Sequence, residues 1–121
     1  MNKKNLLVTA GILGFLAVAI GAFGGHILKD KISADQFRTF QIGVLYHFLH
    51  TLVVVIIAFT ANQKFYKAAM FMTFGIILFS FSLYIYSITL IPAIAFITPF
   101  GGVSFLIGWL FIIINGLKEK A

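Results

Sequence analysis

Hydrophobic residues in this chain form four long stretches, which are separated by short polar or proline-containing segments. The stretches cover approximately residues 6–25, 40–61, 68–90 and 100–117. Each is close to the ~20 apolar residues that an α-helix needs to cross a hydrocarbon core of ~30 Å. None shows the alternation of apolar and polar residues that a membrane β-strand requires. The pattern predicts an all-α integral membrane four-helix bundle that forms a single domain over residues 1–121.

Composition supports a membrane protein over a water-soluble one. Hydrophobic residues make up 61% of the chain, charged residues make up 10%, and the mean hydropathy is +1.07. A soluble protein of this size needs more polar surface than such a chain supplies. The absence of cysteine excludes disulfides, thiolate metal sites and thiol nucleophiles. Packing must therefore hold the fold together.

The formal charge of +6 follows the ends of the stretches and does not form a continuous basic face. We therefore expect the lipid bilayer, and no nucleic acid, to be the partner of the charged residues. Six cations belong to one side of the membrane and three to the other: Lys3, Lys4, Lys64, Lys67, Lys118 and Lys120 against Lys29, Lys31 and Arg38. Because basic residues are retained in the cytoplasm, this asymmetry predicts a plasma (inner) membrane protein with cytoplasmic N and C termini.

Small residues recur at helical spacing in the first and last stretches. In lipid, such residues allow two helix backbones to approach closely. The pattern predicts helix-packing positions within the bundle, or in self-association or contact with another membrane protein: Ala10, Gly14, Ala17, Gly21, Gly25, Gly101 and Gly108.

The second stretch places His47 and His50 on one helical face. At ~1.5 Å per residue from Phe40, they lie about 10 Å and 15 Å into the membrane. Ionisable groups at this depth face the protein interior and are candidates for function. The hydroxyl groups of the third stretch are at comparable depth, so we expect a polar interior or transport site formed by His47, His50, Tyr46, Ser80, Ser82 and Tyr84. Structural hydrogen bonding and the handling of a proton, metal ion or small solute both remain open.

Local signals predict where the helices begin and end. Ser33 and Gln36 have the spacing of a capping box, which predicts that the second helix begins there. Pro92 is expected to stop the third helix, and Thr98 followed by Pro99 to cap the fourth. His26 and Thr98 form a candidate site at the outer edge of the membrane.

Five local sequences, in this order and spacing, resemble a known family: Gly21 to His26, Tyr46 to His50, Leu78 to Tyr84, Ile97 to Gly102, and Gly108 with Trp109. The chain is similar to the YgdD-like family of small inner-membrane proteins, whose eukaryotic relatives are called transmembrane protein 256. Positions that match its motifs are His26, His50, Ser80, Ser82, Tyr84, Thr98, Pro99, Gly101, Gly102 and Trp109. Gly25 and Phe81 depart from the family pattern, which has alanine and glycine there. The resemblance implies a compact four-span protein of the bacterial plasma membrane and carries no reaction, substrate or cofactor.

Two functions are consistent with these patterns. The first is a non-enzymatic envelope component that acts through helix–helix self-association or partner binding. The second is an oligomeric channel or transporter for a proton, metal ion or small solute that uses the histidines of the second stretch. An enzyme is disfavoured, because the acids Asp30, Asp35 and Glu119 all lie at membrane edges and give no nucleophile–base arrangement with a histidine. We therefore predict no catalytic residue, metal site or cofactor.

Overall fold

The computed structural model describes all 121 residues and contains helices, turns and no strand, which confirms the all-α prediction. Four long helices follow one another along the chain. They are α1 (Lys3–Leu28), α2 (Ala34–Thr60), α3 (Gln63–Thr89) and α4 (Thr98–Leu117), with a short helix at Pro92–Ala95 before α4. Counting that short helix with α4, all four are long and apolar enough to cross a membrane. α1 extends beyond its apolar stretch at both ends. α2 and α3 begin before their stretches and end one residue before the predicted end, and α4 begins before its stretch and ends at the predicted residue.

The backbone satisfies its polar groups within the helices, as a hydrocarbon surrounding requires. Of 94 backbone hydrogen bonds, 81 lie within helices. Two helices contain one wider π-helical turn each, at Ile20–Gly24 in α1 and at Ile76–Ser80 in α3. Such turns are rare and occur frequently at functional sites.

The inner pair of helices is α2 and α3, and α1 and α4 flank it. Within an apolar window of 18 residues in each helix, 22% of the residues are buried in α1 and in α4 counted from Pro92, against 39% in α2 and 44% in α3. α1 packs chiefly on α2, and α4 packs chiefly on α3. The flanking helices therefore present most of their surface to lipid.

An apolar core occupies the end of the bundle that carries the chain termini. It consists of Leu6, Ala10, Leu13, Val54, Ile57, Ala58, Tyr66, Ala68, Ala69, Met72, Ile76 and Phe105. The histidines and the buried serines of α3 lie beyond this core, toward the opposite end of the membrane helices. The core thus anchors α1 and α3 on α2 and leaves the polar residues together in the other half.

Of the three predicted helix-end signals, one is confirmed and two differ from the structure. Ser33 and Gln36 form the predicted capping box, with reciprocal bonds of 3.1 Å at the start of α2. The prediction for Pro92 was wrong, because α3 already ends at Leu90, whose left-handed backbone (φ 54°) turns the chain. Pro92 instead begins the short helix, where a missing N–H costs nothing. Thr98 does not cap α4, because the cap is Ile97 and Thr98 lies inside the first turn.

Candidate functional site

His47 is completely buried between α2 and α3 and bonds to a tyrosine. Its Nδ1 lies 2.8 Å from the Tyr84 hydroxyl, and the edge of its ring meets Phe81 with the ring centres 5.4 Å apart. Gly43, one turn earlier on α2, makes room for this tyrosine. A Cβ atom at Gly43 would lie 2.8 Å from Tyr84 Cε1, which is closer than real Cβ contacts. The glycine therefore permits the pairing of His47 with Tyr84.

Two buried polar atoms near the middle of the bundle have no hydrogen-bond partner. They are Nε2 of His47 and Oγ of Ser80, and both residues are fully buried. The Leu13 carbonyl of α1 faces the His47 ring, but it does not complete a hydrogen bond with Nε2. Unpaired polar groups in a low-dielectric interior are costly, so each such group in a folded protein calls for an explanation.

His50 is held by α2 and α4 and not by the hydroxyl groups of α3. Its Nδ1 lies 2.8 Å from the Tyr46 carbonyl, and its Nε2 accepts a 3.1 Å hydrogen bond from Trp109 Nε1. A carbonyl oxygen can only accept, so Nδ1 carries the proton and Nε2 is the acceptor. The ring also stacks on Phe105, with centres 3.6 Å apart and planes inclined by 14°. His50 is thus an uncharged imidazole with both nitrogens paired.

An open cavity of about 560 Å³ lies on the lipid side of His50, between α2 and α4. We call it the aromatic groove and define it by Tyr46, His50, Phe79, Gly102, Phe105 and Trp109. Tyr46 stacks on Phe79 with ring centres 4.7 Å apart. Aliphatic side chains complete the lining, so the groove is mostly apolar, and its polar side-chain groups belong to His50, Trp109 and Tyr46.

Serine and threonine hydroxyl groups of α3 mostly bond to carbonyls of their own helix, and Ser82 also bonds to α4. Ser82 donates to the Phe79 carbonyl (2.8 Å), and its oxygen lies 2.6 Å from the Thr98 hydroxyl of α4. Ser87 donates to the Tyr84 carbonyl, and the Gln36 amide of α2 donates to the Ser87 carbonyl, both at 2.8 Å. These bonds fix α3 against its neighbours at the end of the bundle opposite the termini.

The predicted polar set therefore divides into two sites around the histidines and a separate pair at the edge. His47 pairs with Tyr84 beside unpartnered Ser80, whereas His50 uses the backbone of Tyr46 and the side chain of Trp109. Ser82 pairs with Thr98 at the edge. His26 is exposed at the end of α1 and shares no hydrogen bond with Thr98, so the structure does not bring the two outer-edge candidates into hydrogen-bond contact.

The small residues predicted as packing positions face other helices of the same chain. Ala10, Gly14, Ala17, Gly21 and Gly25 of α1 lie toward α2. Cβ atoms at Gly14, Gly21 and Gly25 would lie 3.8, 3.1 and 3.8 Å from the side chains of Thr51, Val44 and Phe40, respectively. Gly101 and Gly108 are buried against Phe79 and Met72 of α3.

Sequence reasoning did not find Phe105 of the aromatic groove, nor the hydrogen bond from Trp109 to His50. The signal that could have found the second is the place of Trp109 near the middle of its helix, away from the membrane interface where tryptophan is enriched. No group of histidine, cysteine, aspartate and glutamate side chains in the structure is arranged to hold a metal ion. The side chains of the two histidine sites hydrogen-bond to one another and pack against aromatic rings.

Comparison with known proteins places these motifs in one family. Residues 20–102 match the profile described as a protein of unknown function (DUF423). The chain belongs to the DUF423 family. The UPF0382 inner membrane protein YgdD of Escherichia coli (strain K12) is 36% identical over 124 residues, covering 99% of this chain and 95% of that protein. The UPF0382 membrane protein YwdK of Bacillus subtilis (strain 168) is 39% identical over 120 residues, covering 95% and 98%. No solved structure matches the chain.

Membership of DUF423 confirms the family resemblance and the membrane assignment and leaves the activity open. The matched residues 20–102 of this chain include His26, His47 and His50 but not Trp109. Its relatives are named as membrane or inner membrane proteins, and nothing in those names indicates an enzyme.

Proposed function

We propose that the protein is a non-enzymatic component of the plasma membrane that acts through helix–helix self-association. The observation that carries this proposal is a second open cavity, of about 440 Å³, between α1 and α2. Gly21 and Gly25 form its floor, aromatic and aliphatic side chains form its walls, and Gln41 stands on its rim. We call it the glycine groove and define it by Gly21, Gly25, Phe37, Phe40, Gln41, Val44, Leu45 and Phe48.

The glycine groove has the properties of a helix-binding surface. Two glycines one turn apart allow the close backbone approach on which helix association in lipid depends. Phe48 and Leu45 are exposed along its wall and offer area for van der Waals contact with a partner helix. The exposed Gln41 amide makes no hydrogen bond within the chain, so it can bond to a partner helix. A second copy of α1 or α2 is the partner we favour, because it is always present at matching depth.

The test measures self-association of the full chain in liposomes by energy transfer between two labelled populations. Gly25→Leu projects a side chain into the glycine groove, and we expect association to weaken at least fivefold. Gly25→Ala adds only a methyl group at an ordinary 3.8 Å from Phe40, so it should fold normally and weaken association less. Gly11→Leu is the matched control, because its position on α1 faces open space outside the groove.

Two results would contradict self-association through the glycine groove. One is a wild-type chain that stays monomeric at every protein-to-lipid ratio. The other is an equal effect of Gly25→Leu and Gly11→Leu, which would place the contact elsewhere.

A second candidate function is the oligomeric channel or transporter that uses the histidines of α2. The unpartnered Nε2 of His47 and Oγ of Ser80 favour it, because Nε2 can take up a proton and Oγ can hydrogen-bond to a small polar solute. The paired state of His50 argues against a role for that residue in conduction. Proton flux into liposomes that is lost in His47→Ala and kept in His50→Ala would support this function. Flux that equals protein-free liposomes in the wild type would exclude it.

A further inference from the structure

The His50–Trp109 hydrogen bond is exposed to lipid on one side and is placed where a ligand could enter it. His50 is 7% exposed and stays fixed by its bond to the Tyr46 carbonyl. Trp109 is 43% exposed, so its indole can move toward the lipid without displacing the core. His50 lies about 24 Å along a helix of about 40 Å, close to the middle of the membrane. The only polar pair facing the aromatic groove therefore lies at a depth where lipid offers it no partner.

The hydrogen-bonding roles of this pair are fixed, and they restrict what can enter. Nδ1 of His50 carries its proton, so Nε2 can only accept, and the indole N–H of Trp109 can only donate. A group inserted between them must accept from the indole and donate to the imidazole. A hydroxyl group does both with one oxygen atom. A ketone, ester or ether oxygen only accepts, and it would leave Nε2 of His50 without a donor.

The lining of the aromatic groove favours a ligand that carries its hydroxyl group on a flat ring. Its walls include two stacked ring pairs, Tyr46 with Phe79 and His50 with Phe105. Flat rings gain from offset or edge contacts with such surfaces, beyond the burial of area. The volume of about 560 Å³ lies within the range of small-molecule sites. A Cβ atom added at Gly102 would lie 3.9 Å from the Phe79 ring, so this glycine leaves one edge of the groove open.

We propose that the aromatic groove binds an uncharged lipophilic phenol, whose hydroxyl group inserts between Trp109 Nε1 and His50 Nε2. Its ring would lie against Phe79 and Phe105, and its alkyl chain would extend into the bilayer. Two hydrogen bonds through the inserted oxygen separate the two nitrogens to roughly 5 Å, so the indole must move by about 2 Å. This binding does not depend on self-association, because the aromatic groove lies between α2 and α4 and the glycine groove between α1 and α2.

The single tryptophan of the chain makes the proposal directly testable. The full chain, with ¹⁵N-labelled tryptophan in lipid nanodiscs, gives one indole N–H resonance that reports on the donor itself. We expect para-decylphenol to shift this resonance with saturation. We expect para-decylanisole, which has the same ring and chain but only accepts, to bind at least tenfold more weakly. Decanol, which keeps the hydroxyl group without the ring, should also bind more weakly than the phenol.

Two variants locate the binding. Gly102→Leu fills the edge of the groove and should abolish the saturable shift, whereas Gly11→Leu, on the lipid side of α1, should leave it unchanged. His50→Phe keeps a ring against Phe105 but removes the acceptor, so the phenol and the anisole should bind to this variant about equally. The proposal is overturned by the absence of a saturable shift, by equal binding of phenol and anisole to the wild type, or by undiminished binding to Gly102→Leu. Equal binding of decanol would overturn recognition of the ring.

Discussion

Single glycines decide how closely the helices approach, and they are not equivalent. Gly101 lies against the backbone of α3, where an added Cβ would lie 2.6 Å from Phe79 Cβ and 2.7 Å from the Leu78 carbonyl carbon. At Gly102, the next residue, the nearest atom is a ring carbon of Phe79 at 3.9 Å. The same substitution should therefore be costly at Gly101 and nearly neutral at Gly102.

We predict that Gly101→Ala destabilises the fold by roughly 1–3 kcal/mol, the usual cost of overpacking, because backbone atoms of α3 must move. Gly102→Ala is the matched control and should change stability by less than ~0.5 kcal/mol. Unfolding by SDS in mixed micelles measures both variants. Equal stability of the two variants would show that α3 and α4 are not as close at Gly101 as the structure places them.

The hydrogen bond between His47 and Tyr84 gives a second prediction about a single residue. Tyr84→Phe removes the hydroxyl group and leaves Nδ1 of His47 without its partner. We expect a loss of stability of about 1–2 kcal/mol, since polar groups stranded in an interior cost that much. Tyr86→Phe, on the half-buried side of the same helix, is the control and should be close to neutral. A neutral Tyr84→Phe would mean that His47 finds another hydrogen-bond partner.

At the level of elements, the helix ends show what local sequence can and cannot reveal. The capping box at Ser33 and Gln36 was predictable, because both partners lie within one turn of the chain. The end of α3 at Leu90 was not, because leucine rarely adopts a left-handed backbone and gives no local signal of it. The π-helical turn at Ile76–Ser80, which packs against α4, likewise contains no residue that marks it in the sequence.

Ala61, which ends α2, makes the left-handed terminus testable. Its φ of 54° is costly for a residue with a Cβ atom and costs glycine nothing. We therefore predict that Ala61→Gly stabilises the protein by up to ~1 kcal/mol in the same SDS assay. Ala93→Gly, at an exposed position of the short helix, should have the opposite sign, because glycine weakens a right-handed helix. If both variants destabilise, the left-handed end of α2 is not a source of strain.

For the whole molecule, the pattern of apolar stretches was sufficient to predict the helices, but not which residues would meet. Helix number follows from length and hydropathy, which are properties of each stretch alone. The partner of His50 lies 59 residues further along the chain, and the choice of Trp109 over the hydroxyl groups of α3 depends on how α4 crosses α2. Serine and threonine hydroxyl groups on α3 were poor candidates for another reason, since four of the five bond to their own helix backbone.

The cytoplasmic location of both termini is the last prediction, and it rests on the six cations at one end of the bundle. At that end an ion pair joins the start of α3 to the segment after α4, with Lys64 Nζ 3.6 Å from Glu119 Oε1. The chain has no cysteine, so Ala121→Cys and Ala34→Cys each introduce one thiol, at opposite ends of the bundle, without changing charge. A membrane-impermeant maleimide should label Ala34→Cys in intact spheroplasts and Ala121→Cys only after lysis. The reverse pattern would mean that the basic end faces outward, against the positive-inside rule.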